Sequence, residues 1–173
     1  MILSLIFIIF LVIACVFMIY QNFMTHSFAP WVPSHMRLLH QALTWIQPTA
    51  GQTFIDLGCG DGRAVLVASK NFHLQATGVD INPVLTFYAK LMLALNRQKA
   101  TIITGNLYQQ DLSTIDILYI YGLPKALASR LQQKISQELR PGSWIISYNF
   151  SLHDRQPIQI FQEKWRKVSI YKV

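Results

Sequence analysis

Three of the chain's eight acidic residues fall between positions 56 and 80. Asp56 and Asp61 flank Gly58, Cys59 and Gly60 in "FIDLGCGDGRAVLVASK", residues 54–70, and Asp80 sits in "GVDINP". Gly58, Gly60 and Gly62 permit a tight turn and close approach of a ligand, and the helix that follows presents unpaired N–H groups. A glycine-rich turn alone could hold a dinucleotide, a phosphate or nothing. Its charges narrow the choice. Carboxylates at Asp56 and Asp61 oppose a pyrophosphate by Coulomb repulsion but favour a ligand that carries an ammonium and a sulfonium. S-adenosylmethionine is such a ligand. Asp80, at the end of the next strand, can accept hydrogen bonds from both ribose hydroxyls. The structural alternatives are a helix cap for Asp61 and a strand-end turn before Asn82 and Pro83 for Asp80. The binding reading is preferred because an apolar sheet rarely keeps unpaired carboxylates at such positions.

Transfer of a methyl group to an amine requires a neutral acceptor, held in a dry pocket with hydroxyl or carbonyl groups. The candidates are Tyr121 at the end of the fourth strand, with Tyr148, Asn149 and Phe150 at the end of the fifth. Strand packing is the competing explanation for the aromatics. Asn149 stands out as a polar residue in an apolar strand. Other constellations fall away. "SLHD", residues 151–154, cannot form a converging triad from adjacent residues, and no G-x-S-x-G is present. There is no C-x-x-C, and His35 and His40 do not share a helical face, so no metal site is expected. "KWRK", residues 164–167, suits solvent or anionic lipid, and no RNA-binding signature appears, so no nucleic-acid partner is expected.

The elements that must position these groups alternate. "RLLHQALTWI" is a helix, "TFIDLG" a strand, "GRAVLVASKNF" a helix, "ATGVDI" a strand and "PVLTFYAKLMLALN" a helix opened by Pro83. "ATIITGN" and "IDILYIYG" follow as strands. "PKALASRLQQKISQEL" then places Leu127, Leu131, Ile135 and Leu139 on one helical stripe before the strand "SWIISYNF". "IQIFQEKWRKVSIYKV" reads as a hairpin-like pair. The pattern predicts an α/β, doubly wound, Rossmann-like domain, its parallel sheet covered on both faces.

Ahead of this domain, "MILSLIFIIFLVIACVFMIY" contains no charged residue, glycine or proline. As a helix it reaches roughly 30 Å, the thickness of a bilayer's hydrocarbon core. A cleaved signal would show leading basic residues, a shorter apolar core and a small-x-small cleavage site, so the expectation is a retained transmembrane helix at residues 1–22 that contacts the lipid bilayer through residues 1–20. A linker lying next to the cofactor follows at 23–36, then the catalytic domain at 37–173. The formal charge of +7 belongs entirely to the part after residue 36, which favours a single-pass membrane protein with its body facing the cytoplasm. The two cysteines, Cys15 and Cys59, give no disulfide framework.

The run from "WVPS" through "DLGCGDGR", "GVDINP", "GNLY", "YIYGLP" and "LRPGSWIISYNF" resembles the class I S-adenosylmethionine-dependent methyltransferases. Within them it is similar to the small membrane-tethered family that includes the mitochondrial lysine methyltransferases of the ATP-synthase c-subunit and the adenine nucleotide translocase, with prokaryotic relatives. The resemblance implies a seven-stranded sheet with an antiparallel last strand. It implies methionine-end contacts at Asp56, Gly58 and Gly60, ribose contacts at Asp80 and an adenine contact at Asn106, with Cys59, Asp61, Ile81 and Leu107 beside them also expected to bind the cofactor. Asn106 departs from the acidic residue usual there, and its carbonyl can still accept from an adenine amino group, without charge. The implied partner is a protein lysine, with a membrane protein as the favoured substrate. A small-molecule methyltransferase and a catalytically silent membrane-bound adaptor remain the rival readings.

Overall fold

The computed structural model describes residues 2–25, 35–121 and 125–173. These fall into two compact units, Met1–Val32 and Pro33–Val173. The first is a helix, α1, Ile2–Thr25, which has no charged residue. It runs beyond the expected end of the anchor at 22, since no glycine or proline intervenes before Pro30. The remainder of the expected linker, residues 26–34, lies outside the described residues. Among the described residues no helix is long and apolar enough to cross a membrane; the described side chains of α1 run unbroken only over residues 7–15.

The second unit alternates as the pattern predicts. In chain order come α2 (Met36–Ile46), β1 (Thr53–Leu57), α3 (Arg63–Phe72), β2 (Gln75–Asp80), α4 (Pro83–Leu95) and β3 (Thr101–Thr104). A short 3-10 turn, Leu107–Gln109, precedes β4 (Ile117–Tyr121), α5 (Lys125–Glu138), β5 (Trp144–Tyr148), β6 (Gln159–Glu163) and β7 (Arg166–Lys172). Local chemistry sets the boundaries. Gln47 closes α2 in a left-handed conformation, its N–H donating to the Leu43 carbonyl, and Pro48 prevents continuation. Asn82 caps α4 by accepting from the N–H groups of Val84 and Leu85, with Pro83 at the first helical position.

The seven strands form one sheet in the order β3-β2-β1-β4-β5-β7-β6. β1 to β5 are parallel, and β7 runs antiparallel between β5 and β6. Because side chains alternate across a strand, the sheet carries two cores. Phe54, Tyr119, Ile146 and Val168 pack with Leu39 and Leu43 of α2, Val65 and Ala68 of α3, and Ala89 and Leu93 of α4. On the other face, Ile55, Leu57, Leu118 and Ile145 pack with Leu131 and Ile135 of α5 and with Leu139. Leu127, expected on the same stripe, has no described side chain. The strand order reverses at β1, which pairs with β2 on one side and β4 on the other, and a doubly wound sheet opens its ligand crevice at that point.

Candidate active site

β1 delivers Asp56 to this crevice and β2 delivers Asp80. The chain leaves β1 through Gly58, whose N–H donates to the Val79 carbonyl at 2.8 Å, as does the Cys59 N–H at 3.0 Å. The loop thus stays hydrogen-bonded to β2. Gly58, Gly60 and Gly62 all have positive φ. A side chain at Gly62 would fall 2.7 Å from the Ala89 Cβ, so glycine there lets α3 approach α4. A side chain at Gly58 would meet nothing within 4 Å, so that turn borders open space. Cys59 serves packing: it is buried in the first core, and burial followed by the charges of Asp56 and Asp80 pushes its thiol far up.

The carboxylates have different occupations. Asp80 accepts from the Gly60 N–H and the Asn82 N–H, each at 2.8 Å, and so joins the glycine loop to the start of α4. Each oxygen retains a lone pair for a further donor. Asp61 is held by the Arg63 guanidinium, through Nε at 2.9 and 3.0 Å and through a close contact of the terminal nitrogen. It also accepts from the Arg63 N–H at 3.3 Å. Asp61, expected to face a cationic ligand, has its charge answered by Arg63 in this structure. Asp56 is the exception. It is fully buried, its Oδ1 has no hydrogen-bond partner, and its carboxyl is pushed well above the usual range by burial, then by Asp80 and Asp61. A cation in the crevice would favour the ionised carboxylate against all three.

Along the rim, Ile81 is exposed and Leu107 is half-buried. Asn106 is exposed, and its Oδ1 accepts the Tyr108 N–H at 2.9 Å, capping the 3-10 turn. An adenine amino group there would share that oxygen. The Gly105 N–H donates to the Asp80 carbonyl at 2.9 Å, which keeps this rim beside the end of β2.

Tyr121 and Tyr148 end β4 and β5 with their rings perpendicular, centroids 4.7 Å apart. Tyr148 is buried, and its hydroxyl accepts the His35 backbone N–H at 3.2 Å. Tyr121 has its phenol raised by burial and by Tyr148, against a lowering by Arg166. Asn149 stands at the end of the fifth strand, as expected. It lies one residue past β5, exposed and with φ +56°, and its Oδ1 accepts the Lys167 N–H at 2.8 Å while its own N–H donates to the Lys167 carbonyl. Its polarity closes the β5–β7 ladder. Phe150 packs at the edge of the second core.

Sequence reasoning passed over two groups. Glu163 on β6 pairs with Arg37 at 3.2 Å and lies 3.9 Å from His35 Nδ1, so it holds the segment that donates to Tyr148. Tyr108 lies beneath the Arg130 guanidinium, 4.4 Å from ring centre to carbon, two residues past Asn106. Neither has a local pattern, since each depends on partners far along the chain.

This strand order, with an unpartnered buried carboxylate at the end of β1, a second at the end of β2 and an open glycine turn between them, defines an S-adenosylmethionine-dependent methyltransferase. The chain belongs to the ANTKMT methyltransferase domain family, whose model it matches over residues 56–159. It is 28% identical over 136 residues to the protein-lysine N-methyltransferase of Saccharolobus islandicus (strain REY15A), covering 77% of this chain and 84% of that protein. It is also 28% identical over 146 residues to the adenine nucleotide translocase lysine N-methyltransferase of Mus musculus, covering 83% of this chain and 63% of that one. With the ATP synthase c-subunit lysine N-methyltransferase of Xenopus laevis the identity is 26% over 136 residues, covering 78% and 59%. The chain thus spans less than two thirds of these animal relatives. Among solved structures it resembles the RNA methyltransferase from Salinibacter ruber in complex with S-adenosyl-L-homocysteine, with a TM-score of 0.76, 22% identity, and coverage of 82% of this chain and 93% of that one. At that identity the likeness is one of fold.

Proposed function

We propose that this methyltransferase acts on lysine in a membrane protein, anchored by α1 with its catalytic body on the cytoplasmic side. The observation that carries the lysine reading is the Tyr121–Tyr148 pair, two perpendicular rings at the ends of the strands next to the carboxylate crevice. The names of the relatives, lysine methyltransferases acting on proteins, support the same choice.

S-adenosylmethionine, when bound, supplies a methyl group on a positively charged sulfur. Asp80 would hold the ribose, and Asp56, with its unpartnered oxygen, would face the cationic methionine end. The tyrosines act on the acceptor. A lysine arrives as an ammonium, and a desolvated aromatic wall disfavours that charge, so its proton leaves to solvent before the amine attacks. The hydroxyl oxygens of Tyr121 and Tyr148 can accept the remaining N–H bonds and point the nitrogen lone pair toward the crevice. Tyr121 is a neutral phenol at physiological pH, and burial raises it further.

The anchor is supported by α1 itself, a charge-free helix whose Phe7 to Ile13 are all exposed, and by the confinement of every lysine and arginine to positions after 36. Two experiments test the reading. Tyr121→Phe and Tyr148→Phe should each lower turnover on membrane extracts about tenfold, the cost of one hydrogen bond made in the transition state, with S-adenosylhomocysteine affinity unchanged. Unaltered turnover in both would remove the acceptor site from these strands. Protease added to sealed vesicles should cleave the body only from the cytoplasmic face, and cleavage only from the opposite face would overturn the orientation.

A further inference from the structure

A helix that packs on a sheet with one face should turn a polar face to water. α4 does not. Its buried face is Thr86, Ala89 and Leu93, which meets the sheet. Diametrically opposite, Val84, Phe87, Tyr88, Leu91 and Leu95 lie within an arc of about 100° and are all exposed, Phe87 and Leu95 to 71% each. Charge follows the same geography. No aspartate or glutamate occurs from 81 to 110, while Lys90, Arg97 and Lys99 lie on α4 or just beyond it, exposed and, among the described residues, outside every ion pair. An apolar stripe with aromatic residues, basic flanks and no acid has the chemistry of a helix lying in the headgroup region of an anionic bilayer.

We propose that the outward face of α4 is a second membrane contact, seated on an anionic lipid surface independently of α1. The contact goes beyond the anchored reading and rests on it only for bringing the body near a bilayer. Its occupant is lipid because the complementary charge, absent from the helix, is what an anionic headgroup layer supplies. Asn82 caps the start of this helix beside Asp80, so the contact would hold the rim of the cofactor crevice at the membrane surface.

The test is photocrosslinking of the full chain in lipid nanodiscs, with benzoylphenylalanine in place of Phe87 or Leu91, and in place of the exposed Gln137 on α5 as control. In nanodiscs containing phosphatidylglycerol, Phe87 and Leu91 should give lipid adducts and Gln137 none. The yield should fall at least about fivefold when phosphatidylglycerol is replaced by phosphatidylcholine or the salt is raised to screen the cations. Adducts to a second copy, adducts to residues 1–34, no adduct at all, or equal lipid adducts at Gln137 would each overturn the proposal. Failure of the anchor reads out separately. A chain that does not stay with phosphatidylcholine nanodiscs, yet gives the Phe87 adduct when phosphatidylglycerol nanodiscs are added, would overturn the anchored reading and keep this contact.

Discussion

At the scale of the residue, the proposed cofactor site rests on two carboxylates with opposite circumstances. Asp80 is satisfied by two backbone donors and shapes the loop it would help to hold against a ligand. Asp80→Ala should weaken S-adenosylhomocysteine binding by about 1.5–3 kcal/mol through lost charge-assisted hydrogen bonds, measured by calorimetry. Asp56 is buried without a partner for Oδ1, and its raised carboxyl makes a pH prediction. An acid raised in the folded state contributes its stability below its usual value of 3.8 and loses it as pH climbs through the raised one. Asp56→Asn should therefore gain on the wild type in ligand-free thermal stability as pH rises through that window. A difference that is flat with pH would mean that Asp56 is not strained by its surroundings. The variant should also lose affinity for S-adenosylmethionine, whose positive charge the ionised carboxylate offsets. Asp61 marks the limit of reasoning from residue type. Its position beside two other carboxylates was legible, but its neutralisation by Arg63, two residues on, depended on the helix turning that side chain back.

At the scale of the element, the alternation of strands and helices was legible because each crossover has its own punctuation, with glycines ahead of α3 and Asn82-Pro83 ahead of α4. The hairpin β6–β7 followed from two apolar runs around a short basic turn. The partner of Asn149 was not legible: its side chain bonds the backbone of β7, and strand pairing at that distance leaves no trace in local sequence. The outward face of α4 was visible as an unbroken apolar character in "PVLTFYAKLMLALN", but only burial separates its two sides. Packing between elements can be tested at the glycines. Gly142 has φ +92° and open space around it, so Gly142→Ala reports backbone strain alone, about 1–2 kcal/mol in denaturant unfolding. Gly62 combines φ +77° with the 2.7 Å approach to Ala89. Gly62→Ala should cost about 1–3 kcal/mol more than Gly142→Ala, the usual range for overpacking, and equal costs would mean that α3 and α4 are not in close contact there.

At the scale of the whole molecule, the domain carries carboxylates at the ends of β1 and β2, a tyrosine pair at the ends of β4 and β5, and an apolar α4 face that begins beside Asp80. The class of fold and the chemistry of the crevice could be read from residues 54–82, since both depend on short-range patterns of glycine and aspartate. The candidate acceptor residues Tyr121 and Tyr148 could be named, but not their ring-to-ring pairing, because it joins strand ends that are separated in sequence. The central claim is that the methyl group reaches a lysine of a membrane protein. Its direct measurement is incubation of native membranes with labelled S-adenosylmethionine and the full chain, or Asp80→Ala, or a chain lacking residues 1–25, followed by mass spectrometry of the labelled species. The expected result is methylated lysine in a membrane protein with the full chain and its near absence with Asp80→Ala. The truncated chain should be at least about a hundredfold slower, as expected on losing a tether that raises local concentration. Label confined to small molecules or nucleic acid, or no label from a chain that binds S-adenosylhomocysteine normally, would contradict it.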